Sequence, residues 1–107
     1  MILVLAMQTA SADKPRKCDA DALDKAGADA WTRGEKQKAL DSWEKAVSCE
    51  QTERRVFTAG IAACDLYQHG NDERYEKKAK RYYDLLQRSD HKQQLAQMCT
   101  PRCKLEY

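Results

Sequence analysis

The sequence predicts an all-α fold of two antiparallel helical hairpins followed by one further helix. Three observations lead to this prediction. Apolar residues recur at helical spacing along the chain, no segment alternates as a strand does, and one pattern of small and aromatic residues occurs twice. The chain has 107 residues, of which 34% are charged and 42% hydrophobic, which is typical of one globular domain.

The first hairpin is predicted over residues 20–48. A helix over about 20–33 has Asp19 placed as its N-cap and Gly34 at its end, and a second helix follows over about 36–48. Only a turn separates the two, so they must run antiparallel. The two apolar stripes are Leu23, Ala26, Gly27, Ala30 and Trp31 in the first helix, and Ala39, Leu40, Trp43, Ala46 and Val47 in the second.

The second hairpin and the last helix are predicted from the same spacing. A third helix covers about 53–69 and closes at Gly70-Asn71-Asp72, and a fourth covers about 73–88. Asp90 and Gln93 have the spacing of a capping box, which predicts that a fifth helix begins there, and Pro101 disfavours its continuation. The stripes are Val56, Phe57, Gly60, Ala63, Cys64 and Tyr67, then Ala79, Tyr82, Tyr83 and Leu86, then Leu95, Met98 and Cys99.

A repeat relates the two hairpins. The pattern around Gly27 and Trp31 returns 36 residues later around Ala63 and Tyr67, and the pattern around Trp43 returns 40 residues later around Tyr83. Small residues at matched places let two helices approach closely, while the aromatic residue fills the gap to the next pair. This arrangement is typical of a helical-hairpin solenoid.

The repeated residues resemble the tetratricopeptide repeat (TPR) family. The positions that carry the resemblance are Leu23, Ala26-Gly27, Ala30, Gly34, Ala39, Trp43 and Ala46. The resemblance implies right-handed solenoid packing, with repeat one at about 20–51, repeat two at about 56–90 and a capping helix at about 91–103.

The first twelve residues carry no charge and end in Ala10-Ser11-Ala12, a pattern that signal peptidase accepts. We interpret residues 1–12 as the end of an export signal, with residues 13–107 as one mature domain. The basic start is missing and the apolar stretch is short, so either the start lies upstream of Met1 or the segment is clipped; alternatively, Ile2, Leu3 and Leu5 pack onto the fold. No apolar run is long enough to span a membrane. We therefore expect a periplasmic or secreted protein.

Five cysteines in a small exported chain indicate disulfides, with one cysteine left over. Antiparallel packing brings Cys18 beside Cys49. Cys64 is expected to pair with Cys99 or Cys103, if the fifth helix lies parallel to the third, and a bond between Cys99 and Cys103 is the rival. An exposed bond between Cys99 and Cys103 would be reactive, but the spacing is not that of thiol oxidoreductases.

No constellation of residues points to catalysis, a cofactor or a metal. His91, Cys99 and Cys103 lack the paired spacing of zinc ligands. The formal charge of +2 is too mild for a nucleic-acid partner. Acidic residues crowd the start of the first helix, where they suit the helix dipole. We expect a protein that is not an enzyme and that binds another protein.

The TPR resemblance implies that first helices of the hairpins line a concave binding face. On it lie Asp21, Asp24, Ala28 and Trp31 of the first helix, and Phe57, Gly60, Cys64 and Tyr67 of the third. Trp31 and Tyr67 are the expected aromatic anchors, with packing between repeats as their alternative role. Asp24 is expected on the rim, where Asp24→Lys would leave the thermal midpoint nearly unchanged. Two alternative hypotheses are a thiol-active envelope protein that uses Cys99 and Cys103, and a structural subunit of a larger assembly.

Overall fold

The computed structural model describes residues 18–99, and all of its regular structure is helical. This confirms the predicted all-α class. The expected export signal, Pro101 and Cys103 lie outside the described residues. Within residues 18–99 the five helices are α1 Ala20–Thr32, α2 Lys36–Cys49, α3 Glu53–Gly70, α4 Glu73–Leu85 and α5 Ser89–Cys99.

Short polar side chains begin three of the helices. The carboxylate of Asp19 accepts a hydrogen bond from the N–H of Ala22 at 3.1 Å, as its predicted role as N-cap requires. Thr52 begins α3 and Asp72 begins α4 in the same way. Gly34 follows α1 with a φ of 84°, a left-handed conformation in which a residue with a Cβ is strained.

The fourth and fifth helices differ from their predicted bounds, because α4 ends at Leu85 rather than near residue 88. The carboxylate of Glu53 on α3 accepts hydrogen bonds from the N–H groups of Gln87 at 2.8 Å and Arg88 at 3.0 Å. These donors therefore bind another helix instead of extending α4. Asp90 lies within the first turn of α5, where it pairs with Arg88 at 2.7 Å, and so it is not the N-cap.

The helices α1 and α2 lie side by side in opposite directions. Cys18 before α1 is at disulfide distance from Cys49 at the end of α2, with 2.01 Å between the sulfur atoms. Further along, the indole N–H of Trp43 donates to the carbonyl oxygen of Asp24 at 3.2 Å. Gly27 lies directly under the ring of Trp43, so the missing side chain lets the helices approach closely.

The helix α3 has α4 on one side, running antiparallel, and α5 on another, running parallel. The antiparallel order follows from Glu53 at the start of α3, which binds Gln87 just beyond the end of α4. The parallel order follows from the contact of Glu53 with His91 at one end and of Cys64 with Cys99 further along.

Most of the core comes from α2 to α5. Its largest fully buried side chains include Tyr82, Leu40, Leu95 and Val56. Alanines fill much of the remaining interior, so the helices pack closely around few large side chains. Trp31 is the residue of α1 that packs against this cluster, and it is only partly buried. The helix α1 therefore depends on contacts other than core burial.

Candidate partner-binding surfaces

Asp21 and Asp24 of α1 bind Arg55 of α3. The guanidinium of Arg55 meets Asp24 at 2.9 Å and Asp21 at 2.8 Å, and Glu50 lies 3.3 Å away. The side chains of Arg55 and Asp24 are 10% and 22% exposed, whereas that of Asp21 is 94% exposed. Asp24 is therefore a half-buried link between α1 and α3, and Asp21 remains accessible.

The electrostatics of this cluster favour the ion pair. Burial alone would lower the pKa of Arg55, but the hydrogen bond and negative charge of Asp24 raise it, with Glu50 and Asp21 adding to the effect. The guanidinium thus stays charged and holds α3 to α1. The role of Arg55 is not evident from the sequence, because its two partners on α1 lie 31 and 34 residues away.

Trp31 and Ala28 remain at the surface of α1. The ring of Trp31 is half-buried and lies 5.7 Å from that of Trp43, with the ammonium of Lys36 5.1 Å above it. Trp31 therefore has packing partners within the chain, while part of its surface stays open. Ala28 is exposed.

The predicted residues of α3 lie mainly on the face that α5 covers. Phe57 stacks on His91 at 4.8 Å between ring centres, and the space beside Gly60 is occupied by Leu95. Cys64 is at disulfide distance from Cys99, with 2.12 Å between the sulfur atoms. Tyr67 is half-buried against the core. An open face was expected here from the sequence, because helical spacing does not show which neighbour a stripe meets.

The contact between α1 and α3 and the contact between α3 and α5 are made by residues at matched positions. Asp21 meets Arg55, and Phe57 meets His91. Both partners of the second contact lie 36 residues after those of the first, since 57 minus 21 and 91 minus 55 each give 36. This number equals the sequence offset between the patterns around Trp31 and Tyr67.

A second surface, which the sequence analysis missed, is a groove of about 890 Å³ on the other side of α2. Its floor is the outer face of α2, from Asp41 to Ser48. One wall is the start of α1 with Ala22 and Leu23, and the other is α4 with Lys78 and Arg81. The Cys18 and Cys49 pair lies at one end. Polar residues spaced along α2 are a weak signal, because most exposed helix faces have them.

One polar network fixes the α4 wall of this groove. Glu44 of α2 accepts hydrogen bonds from Lys78 at 2.8 Å and from the Tyr82 hydroxyl at 3.1 Å. Burial, followed by the negative charge of Glu44, raises the pKa of Tyr82 to about 12. The Tyr82 hydroxyl therefore stays protonated at physiological pH and donates a hydrogen bond to Glu44, which holds α4 against α2.

Among residues 18–99, no group of three or more histidine, cysteine or acidic side chains could hold a metal ion. No helix of that part of the chain is long and apolar enough to cross a membrane. Cys99 is fully buried against Cys64, so its sulfur is not exposed for exchange.

Comparison with known proteins found no matching protein-family model, no matching curated protein and no matching solved structure.

Proposed function

We propose that this protein is an exported TPR-like adaptor that binds a protein partner through the surface of α1 and α3. The observation that supports the proposal best is the row of helices α1, α3 and α5, in which the contact between α1 and α3 recurs between α3 and α5 at an offset of 36 residues. In a helical solenoid, the first helices of successive hairpins form such a row, and their common face is an extended binding surface.

In this proposal the expected surface residues have different roles. Asp21, Ala28 and the open part of Trp31 are accessible on α1, and we assign the partner contacts to them. Asp24 acts in the proposal by holding Arg55 and so fixing the spacing of α1 and α3. Phe57 acts by positioning α5, because it stacks on His91 of that helix, and Tyr67 acts by packing against the core.

Export is part of the same proposal. Two cysteine pairs at disulfide distance are compatible with an oxidising compartment, either the periplasm or the outside of the cell. If residues 1–12 are an export signal, the intact mass of the exported protein corresponds to a chain that begins at Asp13. Recovery of an exported chain that still carries Met1 would contradict this.

Two matched replacements of a surface alanine by arginine test the binding surface. Ala28 and Ala26 are both exposed on α1, and two positions along a helix place them on nearly opposite sides. Partners would be captured on the immobilised mature chain from the native envelope fraction and identified by mass spectrometry. We expect Ala28→Arg to abolish retention of a specific partner and Ala26→Arg to preserve it, with the same thermal midpoint for both. Retention that is equal for the two variants would contradict the proposed surface.

A further inference from the structure

The groove on the outer side of α2 combines a helical floor with an apolar wall. Its floor spans roughly 10 Å of helix from Asp41 to Ser48, about two turns. Ala22, Leu23 and the Cys18 and Cys49 pair give one side of it an apolar surface. An amphipathic helix binds such a groove through apolar residues that repeat every three or four positions. About two turns of such a helix would span the floor and place these residues against the apolar wall.

The charged group on the α1 wall has a partner, whereas the α4 wall has one paired cation and one unpaired cation among the described residues. On the α1 wall, the carboxylate of Asp19 accepts the N–H of Ala22 and lies at a helix N-terminus, where a negative charge is favourable. On the α4 wall, Lys78 is matched by Glu44. This leaves Arg81 on that wall and Lys45 beside it on the floor.

Arg81 and Lys45 are exposed and have no ion pair with any residue between 18 and 99. Arg81 donates one long hydrogen bond of 3.4 Å to the Tyr82 hydroxyl, and its guanidinium lies over the Tyr82 ring at 5.1 Å from the ring centre. These contacts orient the guanidinium and leave most of its N–H groups available to a ligand. Asp41 is the remaining carboxylate of the floor without an ion pair in the same part of the chain. The unpaired groups are thus two cations and one anion, with the surplus cation at the α4 wall.

We propose that this groove binds an amphipathic helix of a partner protein, with its apolar stripe on Ala22 and Leu23 and a carboxylate on Arg81. A carboxylate can accept two parallel hydrogen bonds from a guanidinium, which fixes the direction of the bound helix. The site lies on the α2 and α4 side and uses none of the residues assigned to the surface of α1 and α3. It would therefore give the protein a second binding surface, independent of the proposed adaptor function.

Two synthetic helical peptides serve as probes. They share an apolar stripe of leucine and alanine, and they differ only in the flank beside it, which carries glutamate in one and lysine in the other. Binding of each peptide to the mature, disulfide-bonded chain would be measured by titration calorimetry at low salt. We expect the glutamate peptide to bind at least about tenfold more tightly than the lysine peptide, since opposite charges meet at Arg81.

Charge reversal locates the contact. Arg81→Glu should reverse the preference, so that the lysine peptide binds more tightly than the glutamate peptide. Arg54→Glu makes the same charge change at an exposed position of α3 that does not line the groove, and it should preserve the original preference. A recovered preference with opposite sign also shows that the Arg81→Glu chain is folded.

Steric blocking separates this site from the other surface. Ala22→Arg fills the apolar wall and should abolish binding of the glutamate peptide, whereas Ala28→Arg should leave it unchanged. Equal binding of both peptides, no binding of either at millimolar concentration, or loss of binding with Ala28→Arg alone would each overturn the proposal. The last result would place the peptide on the α1 and α3 surface instead.

Discussion

Gly27 is the residue where a single methyl group should matter most. A Cβ added there would lie 2.6 Å from Cδ1 of Trp43, within the atoms of a packed ring. We expect Gly27→Ala to lower the free energy of unfolding by about 1–3 kcal/mol, because overpacking forces the ring or the helix to shift. Gly70→Ala is the control, since nothing lies within 4 Å of its added Cβ. Equal urea midpoints for the two variants would show that Trp43 moves without cost.

Asp24 and Asp21 share Arg55 but differ in exposure, and this difference sets their effect on stability. Asp24→Asn should lower the free energy of unfolding by about 1–2 kcal/mol, because it weakens a charged hydrogen bond to a nearly buried guanidinium. Asp21→Asn should change it by less than about 0.5 kcal/mol, since an exposed pair is screened by water. Chemical denaturation of both variants measures this. The half-buried position of Asp24 also means that Asp24→Lys should destabilise the fold, contrary to the expectation from sequence.

At the scale of elements, Glu53 joins the start of α3 to the α4–α5 connection and to α5. Burial alone would raise its pKa, but hydrogen bonds from the N–H of Gln87, the side chain of His91 and the N–H of Arg88 hold that pKa below its ordinary value of 4.5. A lowered folded-state pKa means that the unfolded chain binds protons more readily. The stability that Glu53 contributes is therefore complete above the unfolded value and is lost as the pH falls through the folded one.

The substitution Glu53→Gln should therefore destabilise the chain at pH 6 and have less effect at pH 3, because Glu53 of the parent chain takes up its proton as the pH falls. Urea denaturation at the two pH values tests this, and hydrogen exchange should show faster opening of α5 in the variant at pH 6. Glu73→Gln makes the same change at the first residue of α4, where the side chain is exposed. A pH-independent difference between parent and Glu53→Gln would rule out the linkage.

At the scale of the whole molecule, the two cysteine pairs close loops of similar length, with separations of 31 and 35 residues. In the loop-entropy model each bond stabilises the fold by roughly 3–4 kcal/mol. Their structural roles differ, however, because α1 is poorly represented in the core while α5 buries Leu95 and Cys99. We expect Cys18→Ala with Cys49→Ala to release α1, which hydrogen exchange would detect as loss of protection in residues 20–32.

The matched double variant Cys64→Ala with Cys99→Ala should leave α1 protected and loosen α5 instead. Peptide mapping of the unreduced chain should recover Cys18 joined to Cys49 and Cys64 joined to Cys99. Recovery of Cys99 joined to Cys103 would contradict the pairing of Cys64 with Cys99.

Sequence alone determined the helical class, the approximate position of all five helices and the close contact at Gly27. These are local properties: the apolar spacing, the capping residues and the turn residues all act within a few positions along the chain. Antiparallel packing of consecutive helices then follows from their short connections, and it predicts Cys18 beside Cys49.

Only the tertiary structure decided what each helix face meets. Phe57 and Gly60 have the spacing of an open binding stripe, yet α5 covers them. Arg55 joins α3 to α1 through its hydrogen bond to Asp24, and Glu53 binds the N–H of Gln87 just after the end of α4. In both cases the partner lies more than 30 residues away along the chain. Helical periodicity fixes which residues share a face, but the neighbour of that face depends on how the helices pack, and packing is a property of the whole chain.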